Sequence, residues 1–176
     1  MKQSNYIFLI VGPSGSGKST IVEHLVTSLG LRQIESYTTR KPRYHGEKGH
    51  IFVTDEEFDK LTGIVGYTEF DGHRYCSLQS DVEKSDLYVI DPAGVDYFRE
   101  HYTGNKHVVV VGIWATEAAR KKRMFLRGDS ENDIQRRLEG DRTAFNTDVC
   151  DVVFYNKRLR PTVEAVRHYI WWHLTY

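Results

Sequence analysis

The sequence predicts an α/β fold in which helices cover both faces of a parallel sheet. Three apolar runs have the length and continuous hydrophobicity of buried parallel strands: residues 6–11 (YIFLIV), 87–91 (LYVID) and 107–114 (HVVVVGIW). Helical patterns alternate with them, at 20–29 (TIVEHLVTSL) and 93–102 (AGVDYFREHY). Strands that alternate with helices are joined by crossover connections, and such connections build a parallel sheet.

The rest of the chain adds two parts to this core. Residues 34–80 contain short alternating segments and glycine turns, which indicate a small β-rich insert. Two charged helical segments follow the third strand, and a late strand and a C-terminal helix close the chain. We therefore predict one domain whose core is about 1–33, 81–120 and 145–176, with an insert at about 34–80 and a helical lid at about 121–144.

Composition excludes several classes of protein. Twenty-four basic residues balance 24 acidic ones, so the chain lacks the positive excess expected of a nucleic-acid binder. Cys76 and Cys150 have no CxxC spacing, which argues against a disulfide framework or a zinc site. The first apolar run is far too short for a membrane span or a signal peptide, so we expect a cytoplasmic protein.

The stretch GPSGSGKST after the first strand matches the pattern GxxxxGK[ST]. Glycines let the backbone curl so that successive N–H groups point at phosphate oxygens, and the next helix presents its positive end. Lys18 is expected to reach the β- and γ-phosphates, and the Ser19 hydroxyl is expected to bind Mg²⁺. The sequence thus predicts a P-loop NTPase-type sheet whose ATP site contains Gly12, Pro13, Ser14, Gly15, Ser16, Gly17, Lys18, Ser19 and Thr20.

A second anion site is predicted in the insert. Two arginines lie among hydroxyl side chains within nine positions: Ser36, Thr38, Thr39, Arg40, Arg43 and Tyr44. Guanidinium groups match pairs of phosphate oxygens, so this cluster is suited to a second phosphate. The alternative is a solvated basic turn around Pro42, and the adjacent P-loop favours the phosphate site.

Basic residues are also concentrated in the predicted lid: Arg120, Lys121, Lys122, Arg123, Arg127, Arg136, Arg137 and Arg142. Phosphoryl transfer needs positive charge over the migrating group and the exclusion of water. Some of these side chains must be ordinary solvated residues, since exposed helices are commonly charged.

Taken together, these segments resemble the guanylate kinase family over nearly the whole chain. The P-loop reproduces the family's GPSGxGKST, and SYTTRKPRYHGE is similar to its S-H-T-T-R-x-P-R-x-G-E segment. The resemblance implies transfer of a phosphoryl group from ATP, with Mg²⁺, to a nucleoside monophosphate, most simply GMP. In the core–insert–lid division, the β-rich insert would be the acceptor-binding insert.

The resemblance also implies individual acceptor ligands. Those that match the family's phosphate-binding or guanine-reading positions are Ser36, Arg40, Arg43, Glu47, Tyr75, Ser77 and Asp91. His50 replaces a family tyrosine, and Val89 replaces an aspartate that usually helps to organise magnesium. The family's guanine-reading glutamate falls at Gly66, and Glu69 is the nearby acid that a local shift would let substitute.

In the lid, RMFLRGDSENDIQRRL is similar to the family's R-L-x-x-R-G followed by R-L. This match implies that Arg123, Arg127 and Arg137 contact ATP and the transferred phosphate, and that Asn156 lies near the adenine. With Lys18 and Arg40, these arginines form the expected catalytic set.

Two other functions compete. A kinase of the same superfamily with another acceptor, such as another nucleoside monophosphate or ribose 1,5-bisphosphate, is suggested by Gly66, Val89 and His50. A protein-binding module that has lost catalysis is disfavoured by the complete P-loop. The sequence leaves the oligomeric state open.

Overall fold

A computed structural model describes residues 4–42 and 44–176. The elements in chain order are β1 (Tyr6–Val11), α1 (Lys18–Leu29), β2 (Ser36–Thr38), β3 (His50–Phe52), α2 (Asp55–Phe58), β4 (Ile64–Phe70), β5 (His73–Leu78), α3 (Gln79–Lys84), β6 (Leu87–Val89), α4 (Pro92–His101), β7 (His107–Trp114), α5 (Glu117–Leu126), α6 (Glu131–Ala144), β8 (Val152–Tyr155) and α7 (Leu159–Thr175).

The main sheet is parallel throughout, in the order β6-β1-β7-β8. The hydrophobic runs of β1 and β7 coincide with the strands predicted for them. Strand β6 ends two residues earlier than predicted, at Val89, because Asp91 already serves as the N-cap of α4.

Helices cover both faces of this sheet, which confirms the predicted α/β fold. Alternate residues of β1 point to opposite sides: Phe8 and Ile10 join a cluster with α1 and α7, whereas Ile7, Leu9 and Val11 join one with α3 and α4. All five side chains are fully buried. Two buried faces explain why the run is continuously apolar rather than alternating.

A second, smaller sheet is formed by the predicted insert, in the order β3-β2-β5-β4. Here β2 and β3 are parallel, whereas β5 pairs antiparallel with both β2 and β4. The short helices α2 and α3, and the first half of β4, were not predicted from the sequence. The boundaries of core, insert and lid given above stay predictions.

The lid segment contains α5 and α6, joined at Gly128, whose φ of 93° is in the left-handed region. Thr116 and Ser130 cap these helices, since each side chain accepts a hydrogen bond from the backbone three residues on. In the described part of the chain, no helix is long and apolar enough to cross a membrane.

Candidate active site

The loop between β1 and α1 is shaped by glycines that no other residue could replace without movement. At Gly12, an added Cβ would lie 2.0 Å from the Ile113 carbonyl oxygen of β7. Gly17 has a φ of 103°, and its Cβ would lie 2.4 Å from Asn156 Nδ2. Backbone atoms of the neighbouring strand and a buried amide therefore hold the loop closely. This arrangement presents the N terminus of α1 to the solvent side of the loop.

Two cavities meet above this loop. The first, of about 440 Å³, is lined by Ser14, Gly15, Gly17, Lys18, Ser19, Thr20, His50, Val89, Arg123, Arg127 and Arg137. Among the described residues of its lining there is no carboxylate, whereas one lysine and three arginines are present. We call it the donor cavity, because its charge and its position on the loop suit a polyphosphate.

The second cavity, of about 170 Å³, lies between the loop and the small sheet. Its lining is Ser14, Lys18, Ser36, His50, Thr68, Phe70, Tyr75, Tyr88, Val89, Ile90, Asp91, Arg137 and Phe145. We call it the acceptor cavity. Lys18 and Arg137 line both cavities, so two phosphate groups bound in the cavities would meet at these two cations.

Larger grooves exist elsewhere, but size does not identify the site. A groove of about 590 Å³ runs between α1 and residues 31–35 and 48–50. Another, of about 800 Å³, is lined by residues at the amino ends of β1 and β7 and at the end of α7. Ligands of open α/β sheets bind at the carboxyl ends of the strands, where the donor and acceptor cavities lie.

The Lys18 ammonium donates hydrogen bonds to the carbonyl oxygens of Gly12 and Pro13, the latter at 3.2 Å. These contacts fold the side chain across its own loop, at the boundary of the two cavities. The next residue, Ser19, brings a hydroxyl oxygen into the donor cavity. A hard oxygen ligand beside a polyphosphate site fits Mg²⁺, which takes few protein ligands and completes its shell with phosphate oxygens and water.

Arg123 is anchored to the loop rather than directed into solvent. Its guanidinium donates to the carbonyl oxygens of Ser16 at 3.0 Å, Gly15 at 3.3 Å and Asn156 at 2.8 Å. The buried Asn156 amide donates to Ser16 O at 2.8 Å, and its Oδ1 has no hydrogen-bond partner within the described chain. Arg123 and Asn156, two of the residues predicted to lie near ATP, are thus together beside the P-loop.

The other two lid arginines differ in their surroundings. Arg127 is half exposed and pairs with Asp129, its Nε donating to Oδ1 at 2.9 Å. Arg137 has a buried Nε without a hydrogen-bond partner among the described residues. Because Arg137 lines both cavities, its guanidinium is placed to meet an anionic ligand at their boundary.

In the insert, Arg40 is buried and held by Glu47. Its two terminal nitrogens donate to the two carboxylate oxygens at 2.9 and 3.1 Å, and the guanidinium lies 5.4 Å from the centre of the Phe52 ring. Burial lowers the pKa of Arg40, but the Glu47 hydrogen bonds and charge raise it above its ordinary value overall. Neither residue lines a cavity, and Arg43 lies outside the described residues.

Ser36, His50 and Tyr75 form one wall of the acceptor cavity. The Ser36 hydroxyl and His50 Nδ1 are 2.8 Å apart, within hydrogen-bond distance. The rings of His50 and Tyr75 meet edge to face with centres 5.8 Å apart. Three of the residues predicted to bind the acceptor therefore lie together, with His50 in contact with both Ser36 and Tyr75.

Asp91 also lines the acceptor cavity. Its Oδ1 accepts from the Gly94 backbone N–H and its Oδ2 from the Thr68 hydroxyl, both at 2.7 Å. Burial raises the pKa of the Asp91 carboxyl, and the hydrogen bonds from Gly94 and Thr68 oppose that rise. Of the described residues that line the acceptor cavity, Asp91 is the one acid.

Two predicted base-reading residues lie elsewhere. Ser77 is fully buried outside the cavity lining. Glu69 is exposed and accepts from the Tyr67 hydroxyl at 2.5 Å, and alternation along β4 puts it on the opposite face from Thr68. The structure therefore does not bring Glu69 to Asp91.

Asp141, Thr68 and Tyr88 were not identified from the sequence, and Arg120 was named only among the basic residues of the lid. Asp141 accepts from the Ser14 backbone N–H at 2.9 Å and from Arg120 Nη1 at 2.7 Å. The signal for Asp141 was its spacing: with Ile134 and Leu138 it falls on the buried face of α6. No local pattern marks Thr68 or Tyr88, since their partners come from other elements.

Comparisons with known proteins identify the family of this chain. A model of the guanylate kinase family matches residues 4–173. The chain is 31% identical to the guanylate kinase of Thermotoga maritima over 174 residues, covering 91% of this chain and 83% of that protein. It is 36% identical to the guanylate kinase of Streptomyces kasugaensis over 168 residues, covering 82% and 81%.

Among solved structures, guanylate kinase from Anaplasma phagocytophilum superposes with a TM-score of 0.69 at 23% identity, covering 100% of this chain and 89% of that one. A sugar kinase from Janibacter sp. HTCC2649 superposes with a TM-score of 0.55 at 18% identity, covering 97% and 95%. These structural matches show the shared P-loop fold, and the family match covers nearly the whole sequence. The chain belongs to the guanylate kinase family.

Proposed function

We propose that this protein transfers the terminal phosphoryl group of ATP to GMP, giving ADP and GDP. The observation that supports it best is the common boundary of the two cavities, where Lys18 and Arg137 face both sides. The guanylate kinases to which the chain is similar over most of its length support GMP as the acceptor.

In this proposal, the donor phosphates lie on the backbone N–H groups of the P-loop and the N terminus of α1. Lys18 exchanges its contacts with loop carbonyls for contacts with phosphate oxygens, and the Arg137 guanidinium joins it. Mg²⁺, held by Ser19, supplies charge neutralisation on the polyphosphate. Arg123 keeps the loop in shape and lies with Asn156 beside the nucleoside of ATP.

The acceptor would place its phosphate between Ser36, His50 and Tyr75 and its base toward Asp91. Arg40, which is paired with Glu47 and interacts with Tyr75 of this wall, becomes a phosphate ligand if the pair separates. No residue has to act as a strong base, because a phosphate oxygen is already a competent nucleophile. Catalysis then comes from positioning and charge neutralisation in a site from which the lid excludes water.

The test is ADP release from ATP·Mg²⁺ with GMP, dGMP, AMP, CMP, UMP or ribose 1,5-bisphosphate offered separately. We expect turnover with GMP, and we expect Lys18→Ala to reduce kcat by about 10²–10³-fold with an unchanged melting temperature. Lys84→Ala, which removes an exposed lysine of α3, is the matched control and should behave as wild type.

Full activity of Lys18→Ala would refute the role of the P-loop. Preference for another acceptor would refute GMP while keeping the reaction class. Absence of ADP release with every acceptor would support a binding module instead.

A further inference from the structure

The base end of the acceptor cavity is built around Tyr88, a residue of the main sheet. Tyr88 follows Leu87 in β6 and lines the cavity, although only 3% of its surface is exposed. Its ring packs against Phe98 of α4, with centres 6.5 Å apart. Burial raises the pKa of Tyr88, so the phenol keeps its proton and is able to donate a hydrogen bond.

Gly66 makes room for this ring. Its backbone does not adopt a positive φ, so no conformational demand requires glycine there. The reason is space: an added Cβ would lie 2.7 Å from Ser77 Oγ, 3.0 Å from Tyr88 Cε1 and 3.1 Å from the Tyr88 hydroxyl. A side chain at position 66 would therefore displace the Ser77 hydroxyl and press against the Tyr88 ring, which would have to move by a few tenths of an ångström.

Ser77 lies behind Tyr88. It pairs directly with Gly66 across β4 and β5, is fully buried and does not line the cavity. The Ser77 hydroxyl is close enough to lower the pKa of Tyr88 slightly against the dominant effect of burial, but its geometry is not that of a hydrogen bond. A ligand in the cavity therefore meets the Tyr88 ring before it can reach Ser77.

Asp91 also belongs to this part of the cavity, and both of its carboxylate oxygens already accept hydrogen bonds from the protein. Each of its carboxylate oxygens accepts a hydrogen bond of 2.7 Å, one from Gly94 and one from Thr68. A base that lacks a donor opposite Asp91 would therefore not leave a buried carboxylate unpaired. Strong rejection of such a base requires an unpaired group, so discrimination at this position should be modest.

We infer that Tyr88, rather than Ser77, meets the 6-oxo group of the acceptor base, and that the site accepts 6-oxopurine nucleoside monophosphates as a class, with IMP used as well as GMP. This inference rests on the proposed function for the orientation of the acceptor in its cavity. It makes Tyr88 a specificity-determining residue and removes Ser77 from contact with substrate.

The experiment compares wild type with Tyr88→Phe and Ser77→Ala, using GMP and IMP as acceptors. We expect a wild-type preference for GMP over IMP below about a thousandfold in kcat/KM. Tyr88→Phe should lower kcat/KM about tenfold for both acceptors while the KM for ATP stays unchanged, because one hydrogen bond is lost. Ser77→Ala should change neither acceptor by more than about twofold.

Tyr67→Phe is the matched control, since Tyr67 bonds Glu69 on the other face of β4 and lines neither cavity. A tenfold loss with Ser77→Ala, an unchanged kcat/KM with Tyr88→Phe, or rejection of IMP by more than a thousandfold would each overturn the inference.

Calorimetric binding of GMP and IMP separates this inference from the proposed reaction. If wild type binds both nucleotides and Tyr88→Phe weakens both, but no turnover occurs, the reaction is refuted and the inference stands. If neither nucleotide binds, or binding is indifferent to Tyr88→Phe, the inference is overturned.

Discussion

At the scale of single residues, the Asp91 carboxyl has two roles, one as the cap of a helix and one as the acid of the acceptor cavity. As the N-cap of α4 it is held by Gly94, and as the acid of the acceptor cavity it must be ionised to accept from the base. Burial raises its pKa, whereas the Thr68 hydroxyl, 2.7 Å away, stabilises the charged form. The Gly94 hydrogen bond, the Thr68 hydroxyl and the Lys18 charge all oppose the rise in the Asp91 pKa that burial causes, and Thr68 is the neutral side chain among them.

Thr68→Val tests this role by removing the hydroxyl and keeping the shape. The Asp91 pKa should rise further, so kcat/KM for the acceptor should begin to fall at a higher pH than in wild type as the solution is acidified. The KM for ATP should keep its pH profile. Thr175→Val, which removes an exposed threonine hydroxyl bonded to Trp171 O, is the control. An unshifted acidic limb in Thr68→Val would contradict the role.

The same pKa has a consequence for stability. Because the folded-state pKa of Asp91 lies above its unfolded value, the folded state binds this proton more tightly. The carboxyl therefore favours folding at low pH, below the unfolded pKa, and that contribution is lost as pH rises through the folded pKa. Asp91 thus contributes less to the stability of the folded state at neutral pH than at low pH, although the ionised carboxylate is the form that binds the base.

At the scale of elements, α6 is connected to the P-loop by a buried ion pair. Asp141 and Arg120 are 2.7 Å apart, with 1% and 6% of their side chains exposed. The same carboxylate accepts from the Ser14 backbone N–H at 2.9 Å and from the Ser14 hydroxyl at 3.3 Å. A helix of the lid segment therefore holds the loop that binds the donor phosphates.

Asp141→Asn should destabilise the protein by about 3–5 kcal/mol, because Arg120 is left as a buried unpaired charge. It should also raise the KM for ATP about two- to fivefold, since the hold on Ser14 weakens. Urea denaturation and steady-state kinetics measure the two effects. Glu117→Gln, which breaks the exposed pair with Arg142, is the control and should leave stability nearly unchanged.

A double variant separates the two roles of Asp141. Arg120→Leu with Asp141→Ala replaces a buried ion pair by apolar groups, which is commonly neutral or stabilising. Stability should recover while the KM for ATP stays raised. If the KM recovers together with stability, Asp141 acts only through folding and does not position the loop.

Elements also show how far the sequence could be interpreted. The buried strands and long helices were predicted because a continuous apolar run or a 3.6-residue period records burial directly. Helix α2 was missed because four residues carry no period; a capping box between Thr54 and Glu57 stabilises it. The half of β4 that was not predicted contains Gly66, whose small size leaves space for the Tyr88 ring and adds nothing to the strand pattern.

The residues of the candidate site also differ in whether a local sequence pattern reveals them. The P-loop is one contiguous motif, so its residues could be identified from the sequence. The contacts of Asp141 with Ser14 join positions 127 residues apart, and that of Thr68 with Asp91 joins the small sheet to the N-cap of α4. Such pairings depend on the assembled fold, and a single sequence carries no local trace of them.

At the scale of the whole molecule, the lid segment and the insert are joined directly. Arg136 of α6 lies 3.1 Å from Asp71, in the turn between β4 and β5, and also pairs with Asp133 at 2.9 Å. The Arg136–Asp71 pair connects the lid segment to the insert, and the Asp141 contact connects the same segment to the P-loop. Removing the Arg136–Asp71 pair should loosen the acceptor side without touching any residue of the proposed site.

Asp71→Asn tests the connection between the lid segment and the insert. Asp71 has a φ of 55°, and asparagine tolerates that conformation, so the turn should persist and the melting temperature should stay within about 2 °C. The KM for GMP should rise up to about fivefold at low ionic strength, because an exposed pair contributes up to about 1 kcal/mol. The difference from wild type should vanish at about 1 M salt, which screens exposed charges.

Asp55→Asn, at an exposed partner of Arg74 within the insert, is the control. An equal KM for GMP in Asp71→Asn and wild type at low salt would show that closure does not depend on this contact.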